Sequence, residues 1–358
     1  MPLDADSCYR ALAARDRRFD GLFFVGVAST GIYCRPVCPA RTPRRDRCTF
    51  YAGAAQAELA GFRACLRCRP ELSPGTAPSD RASALVRQAV ARIDDGALAD
   101  GSLAALAREL GVTDRHLRRA FLGELGVSPV ELAQSRRLAL ARQLLRDTRL
   151  PITEVALASG FGSLRRFHAL VAARCGRPPS VLRGDERGDA RRVRLRLEYR
   201  PPLAWDATLA RLRRDAISGL ERVADGRYTR AVRLGGAVGL VSVACEARAL
   251  AIDVDASLAP ALMPLVARLR AMFDLDARPD VIDAHLARDP RLAGLVRTTP
   301  GVRLVGALDP LEAALRALCG RAAARLVARV GARASLDGVE WRLFPELAEL
   351  VALPPAAW

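Results

Sequence analysis

Lysine is absent from this 358-residue chain, and so is asparagine; all 56 basic residues are arginine. Without a lysine amine no side-chain Schiff base can form, which excludes a glycosylase/lyase reaction running through one. The bland reading of this bias is a genome that favours GC-rich codons. No apolar run approaches the roughly 18 residues that a membrane span needs. The N-terminus is acidic and polar and has no apolar h-region, so no secretory signal is expected. Acidic residues number 39, which leaves a formal net charge of +17 and a pI of about 10.7. That balance points to a polyanionic partner and is in the range of nucleic-acid binders.

Nine cysteines are present, and four of them carry a pattern. Cys34 and Cys38 form C-x3-C, 26 residues follow, and Cys65 and Cys68 form C-x2-C. Two close pairs joined by a mid-length loop wrap a tetrahedral ion, with two ligands from each pair, and Zn2+ is the expected metal. Between residues 34 and 69 lie eight arginines and two acids. With zinc and four thiolates counted as −2, the segment carries a net of about +4. A plain structural zinc staple fits the spacing alone. A thiolate nucleophile set where a polyanion docks fits the arginines as well. Cys8, Cys48, Cys175, Cys245 and Cys319 read as isolated thiols of a reducing cytoplasm. Cys48 lies between the two pairs, but its spacing suits a ligand poorly.

The strings around these cysteines narrow the choice. Thr30-Gly31-Ile32-Tyr33-Cys34-Arg35-Pro36-Val37-Cys38-Pro39-Ala40-Arg41 is followed by Thr49-Phe50-Tyr51, Gly61-Phe62-Arg63 and Cys65-Leu66-Arg67-Cys68-Arg69-Pro70. Over about residues 6 to 72 the chain resembles the N-terminal zinc domain of the Ada family of methylphosphotriester repair proteins. The resemblance implies that Cys34 accepts a methyl group from an alkylated DNA phosphate, with Cys38, Cys65 and Cys68 as the other ligands. Arg35, Arg41, Arg44, Arg45 and Arg67 are then candidate DNA contacts. No P-C-H-R string occurs, so repair of O6-alkylguanine is not expected.

Helical periodicity begins after a Pro- and Gly-containing stretch. Leu103, Leu106, Leu110, Val112, Leu117, Phe121 and Leu125 line one apolar face, broken by a turn at Gly111. The layout recurs at Ile152 to Phe161 and Ser163 to His168, with a helix over Leu132 to Leu145 between the two. Two helix-turn-helix units in tandem resemble the AraC-type DNA-binding domain and place two helices for major-groove entry. Candidate DNA contacts are Arg115, His116 and Arg119 in the first unit, and Ser163, Arg165 and Arg166 in the second.

From Val193 onward the pattern changes to alternating strands and a long helix over about residues 259 to 273. Arg200-Pro-Pro-Leu-Ala-Trp205, Gly219 to Tyr228 and Leu269 to Leu275 resemble the N-terminal domain of AlkA-type 3-methyladenine glycosylases. That family continues with a helix-hairpin-helix and a catalytic aspartate. Neither appears here before Trp358, and Asp309 and Asp337 follow no hairpin of that kind. Glycosylase activity is therefore expected to be absent, and the last 50 residues are expected to pack poorly.

A multidomain α+β organisation follows. It comprises a small zinc-binding α/β domain (1–72), a linker (73–80), an all-α double helix-turn-helix domain (81–183) and a second linker (184–192). An AlkA N-terminal-like α+β domain (193–297) and a short helical remnant of a glycosylase domain (298–358) complete it. The resemblances imply a suicide methyltransferase coupled to transcription activation. Implied partners are alkylated double-stranded DNA, a promoter site and RNA polymerase, in a cytoplasmic, nucleoid-associated monomer with no membrane attachment. The competing reading is a non-enzymatic regulator with a structural zinc site.

Overall fold

The computed structural model describes residues 4–75, 82–99, 101–184, 191–320 and 322–353. The linkers expected at 73–80 and 184–192 lie mostly outside them.

The first unit opens with helix α1 (Ala5–Ala14), whose N-terminal amides are accepted by the Asp4 side chain. A four-stranded sheet follows, with order β3-β1-β2-β4. Its strands are β1 (Phe24–Val27), β2 (Ile32–Cys34), β3 (Cys48–Tyr51) and β4 (Arg63–Ala64), with helix α2 (Ala54–Leu59) between the last two. β1 and β2 pair antiparallel, and Gly31 turns the chain between them at φ +65°. β2 and β4 run parallel, which brings the segment before Cys34 beside the segment before Cys65.

Seven helices follow: α3 (Ala84–Asp94), α4 (Leu103–Glu109), α5 (Asp114–Leu125), α6 (Pro129–Asp147), α7 (Ile152–Ala158), α8 (Leu164–Cys175) and α9 (Pro179–Leu182). α4–α5 and α7–α8 repeat one design. Gly111 and Gly160 take positive φ in the two turns, Thr113 and Ser163 cap α5 and α8, and Gly126 and Gly176 end them in the left-handed region. The connecting helix α6 starts with a full capping box, Ser128 with Glu131, and Pro129 in its first turn.

The third unit is an antiparallel five-stranded sheet of order β5-β9-β8-β7-β6. The strands are β5 (Arg192–Glu198), β6 (Glu221–Ala224), β7 (Arg227–Leu234), β8 (Ala237–Cys245) and β9 (Ala249–Asp255), with α10 (Trp205–Asp215) between β5 and β6. The long helix expected at 259–273 is α11 (Leu262–Met272), preceded by a 3-10 segment, Ala256–Ala261, containing Pro260. Proline offers no N–H to continue an α-helical ladder, so the α-helix starts later than periodicity suggests. α12 (Pro279–Leu286) and α13 (Pro290–Thr298) follow.

The C-terminal segment does not pack poorly, contrary to expectation. It forms α14 (Pro310–Cys319), α15 (Ala322–Val330), a hairpin of β10 (Arg333–Leu336) and β11 (Val339–Arg342), and α16 (Leu347–Val351). Trp341 and Leu343 are buried against Ala231 and Leu240 of the large sheet. Arg230 of β7 and Glu312 of α14 meet as a buried pair at 2.9 Å. The hairpin turns at Asp337-Gly338, both at positive φ, as a tight two-residue loop requires.

One core runs through the second helix-turn-helix unit and the large sheet. Leu144, Phe161, Phe167 and Val171 join Val193, Leu195, Ile252 and Leu265 in a single cluster, whereas α3–α5 form a separate one around Ile93, Leu117 and Phe121. The helix-turn-helix halves thus belong to different cores.

Candidate metal centre and nucleic-acid interface

Cys34 ends β2, Cys38 follows one turn later, and Cys65 and Cys68 follow β4. Their four sulfurs lie within 4.8 Å of one another. Sulfurs held tetrahedrally at about 2.3 Å from zinc are about 3.8 Å apart, so the cluster is the right size for the ion. The donor chemistry agrees. Four sulfur donors in one cluster are the ligand set of a closed structural zinc site. Four thiolates at this spacing are compatible only with a cation among them, and the site binds Zn2+.

The four are not equivalent. Cys38, Cys65 and Cys68 are buried, and Cys34 is half-exposed. Cys68 Sγ accepts the Arg35 backbone N–H at 3.4 Å. Cys34, Cys38 and Cys65 line a cavity of about 410 Å3. Its wall is largely aliphatic, from Leu12, Val25, Val27, Ile32 and Leu66, with Arg41, Arg63, Arg67, Arg142 and Arg177 among the other lining residues. Arg142 and Arg177 come from the helix-turn-helix region, so two units build this one cleft. Cys48 is outside the cluster; its Sγ donates to the Arg44 carbonyl at 3.2 Å.

The arginines named from sequence have different fates. Arg41, Arg44 and Arg67 are exposed, and Arg44 lies 3.4 Å from Asp46. Arg45 is half-buried over the rings of Tyr9 and Phe50, with Asp6 at 3.2 Å. Arg35 is a correction. Only 4% of it is exposed, and its guanidinium is held by the carboxylates of Asp20 and Glu198 and by the Cys68 carbonyl. A buried fork engaged by two carboxylates and a carbonyl is not on the surface where DNA would meet it.

On α5, Arg115, His116 and Arg119 are all exposed, with Arg119 and His116 in contact at 3.5 Å. On α8, Arg165 and Arg166 are exposed, while Ser163 is the helix cap and its Oγ accepts the Arg166 N–H at 3.5 Å. These side chains project near the N-terminal ends of the second helices, where a helix-turn-helix meets base edges.

Sequence reasoning missed the residues that join the units. Arg142 of α6 is buried, 3.2 Å from Glu58 Oε1 and 3.3 Å from the Tyr33 hydroxyl, which itself donates to Glu58 at 2.8 Å. Arg69, next to Cys68, makes a bidentate pair with Asp147 at 2.8 and 2.7 Å. Arg200 donates to the carbonyls of Asp20, Gly75 and Asp276. One signal was available: Arg142 interrupts the apolar stripe Leu138-Ala141-Leu145 of α6, where a charge needs a buried partner.

Three family descriptions match the chain: "Metal binding domain of Ada" over residues 7–71, "Helix-turn-helix domain" over 106–185 and "AlkA N-terminal domain" over 194–309. The chain is 37% identical over 372 aligned positions to the probable bifunctional transcriptional activator/DNA repair enzyme AlkA of Mycobacterium tuberculosis, covering 98% of this chain and 74% of that protein. It is 33% identical to the bifunctional transcriptional activator/DNA repair enzyme Ada of Escherichia coli, over 44% of this chain and 43% of that one. To DNA-3-methyladenine glycosylase 2 of Escherichia coli it is 33% identical, over 45% of this chain and 58% of that enzyme. No helix among the described residues is long and apolar enough to cross a membrane. With its thiolate cage, paired helix-turn-helix units and AlkA-like sheet in this order, the chain belongs to the family of Ada- and AlkA-type bifunctional transcriptional activator/DNA repair enzymes.

Proposed function

We propose that Cys34 irreversibly accepts a methyl group from a DNA methylphosphotriester, and that the methylated protein binds a promoter site through its helix-turn-helix units. The observation that carries this reading is the asymmetry of the cage: Cys34 alone of the four cysteines is not buried, and it lines a cleft with arginines in its wall. Zinc bound there keeps the thiols deprotonated at neutral pH.

A methylphosphotriester is neutral, so the thiolate approaches it without the repulsion of an ordinary diester. Cys34 Sγ attacks the methyl carbon from the side opposite the ester oxygen. The S–C bond forms as the C–O bond breaks, and the electron pair leaves on a phosphate diester oxygen. Arg41, Arg63, Arg67 and Arg177 are available in the cleft wall to stabilise that anion. The aliphatic part of the wall suits the methyl group. The product thioether is stable, so each molecule acts once.

Methylation removes one negative charge from a surface that faces DNA. Closer approach to the backbone adds phosphate contacts, which strengthens binding in a salt-dependent way. Recruitment of RNA polymerase by a monomer bound to the promoter completes this reading. Glycosylase chemistry forms no part of it. Asp309 caps α14 by accepting the Glu312 N–H at 2.9 Å, and Asp337 sits in a hairpin turn paired with Arg192, so both carboxylates have structural partners.

Intact-protein mass after incubation with duplex DNA carrying methylphosphotriesters tests the acceptor. A gain of about 14 Da, absent in Cys34→Ala, is expected from one covalent methyl transfer. Zinc-loaded protein with no gain would leave a zinc-stapled regulator without methyl-transfer chemistry.

A further inference from the structure

We propose that Glu198, at the end of strand β5 in the AlkA-like sheet, is a positioning residue for the zinc–thiolate centre. The AlkA-like unit would then serve the methyl acceptor from across a domain boundary, in addition to any role of its own. The kinetic part of this inference rests on Cys34 being the methyl acceptor; the spectroscopic part does not.

The path is short and every link is buried or nearly so. Arg35 follows Cys34 directly. Its backbone N–H donates to Cys68 Sγ at 3.4 Å and its NH1 to the Cys68 carbonyl at 3.1 Å, so this residue stitches the first ligand to the last. The other end of the same guanidinium is gripped by two carboxylates. Asp20, from the zinc unit, accepts from Nε at 2.9 Å and from NH2, and Glu198 accepts from NH2. The side chains of Arg35, Asp20 and Glu198 are 5%, 10% and 18% exposed. A guanidinium is a rigid planar fork, so fixing it from two directions fixes its plane and, through a buried side chain with little room to move, the backbone that bonds Cys68.

Two consequences reach the sulfurs. An N–H aimed at a thiolate withdraws charge density from it, so the Arg35 amide makes Cys68 a poorer nucleophile than its half-exposed neighbour Cys34. The guanidiniums of Arg200 and Arg270 donate to the Asp20 and Glu198 carbonyls at 2.9 and 3.5 Å, so the charges beside the cage are close to balanced with Glu198 ionised. Neutralising Glu198 both loosens the fork and makes the local field more positive. The more positive field lowers the reactivity of Cys34, and the loosened fork displaces the backbone that holds Cys34 beside Cys68.

The test uses the full chain with Glu198→Gln and Glu198→Asp. Asp20 still pairs with Arg35 in both. Methyl uptake is timed with a methylphosphotriester duplex and with methyl methanesulfonate, a small reagent that needs no DNA docking. In parallel, the 113Cd resonance of cadmium-substituted protein reports the thiolate cage directly. Expected for Glu198→Gln is a slowing on the order of 10-fold with both reagents, with a displaced 113Cd resonance and unchanged metal stoichiometry. Glu198→Asp, which keeps the charge on a side chain one methylene shorter, should restore part of the rate and leave an intermediate shift. Glu312→Gln, which breaks the buried pair with Arg230 in the C-terminal segment, should lower stability and leave the resonance in place.

Wild-type rates and an unmoved resonance in Glu198→Gln would overturn the proposal. So would slowing on DNA alone without a change in resonance, since Glu198 would then act on docking. If Glu198→Gln fails to fold, Glu198→Asp decides: an intermediate displacement supports the proposal and none refutes it. A wild-type protein that takes up no methyl would refute the acceptor function, while the cadmium resonance would still decide the role of Glu198.

Discussion

The Arg142 guanidinium lies 3.2 Å from the Glu58 carboxylate, with the two side chains only 7% and 5% exposed. One belongs to the helix between the two helix-turn-helix units and the other to the zinc unit. The Tyr33 hydroxyl closes the triangle one residue before Cys34. With Arg35 tied to Glu198, the residues on either side of Cys34 are anchored in two different units.

Removing one member of a buried pair leaves the other charge uncompensated, which costs about 3–5 kcal/mol. Arg142→Met is therefore expected to lower the stability of the zinc unit and its contact with α6 by that order. Arg142→Met with Glu58→Gln should recover more than half of the loss. Chemical denaturation of the single and double variants checks both numbers.

Acidification should strike the C-terminal segment through Glu312. Burial alone would raise this carboxyl, but the guanidiniums of Arg230 and Arg316 outweigh it and hold the folded value below the ordinary 4.5. A depressed carboxyl contributes stability above its unfolded pKa and loses it as pH falls through the lower folded value. The packing of α14 should therefore hold at pH 6 to 7 and weaken from about 4.5 downward. Trp341 fluorescence follows it, and Glu312→Gln should flatten that pH dependence.

Metal stoichiometry should depend on four cysteines only. Cys48→Ala is expected to keep one zinc per chain, because Cys48 lies outside the sulfur cluster. Cys65→Ala should lose tight binding, because structural zinc sites need a closed set of four ligands. Zinc titration against a chromogenic chelator separates the two.

The exposed arginines of α5 and α8 should divide by salt dependence. If Arg119 or Arg166 meets phosphate, its replacement by alanine lowers the salt slope of binding by about 1 on every sequence. If Arg115 or Arg165 reads a base, its loss costs about 1–3 kcal/mol and relaxes preference at one position. Duplexes selected from a random library by the methylated protein supply the sites.

Legibility differed by the kind of signal. Four cysteines at fixed spacing need no tertiary information, because ligand count and loop length already define a tetrahedral cage. The helix-turn-helix units were readable from apolar periodicity and two turn glycines. The hairpin at Asp337-Gly338 also carries a local signal, an Asp-Gly turn between two short runs that pair antiparallel. Arg35 was read as a DNA contact because eight arginines in a row of loops look alike until burial separates them.

The chain's composition, spacings and periodicities determined that it binds a metal through cysteine, that it carries two helix-turn-helix units, and that its surface is strongly basic. These are local or additive properties, set by residues near one another in sequence or by a sum over all of them. Tertiary structure alone decided which arginine is buried, which cysteine is open, and which units share a core. Arg35 and Glu198 are 163 positions apart, and Arg142 and Glu58 are 84 apart. Pairs at such separations are selected by three-dimensional packing, where a buried charge persists only beside its opposite.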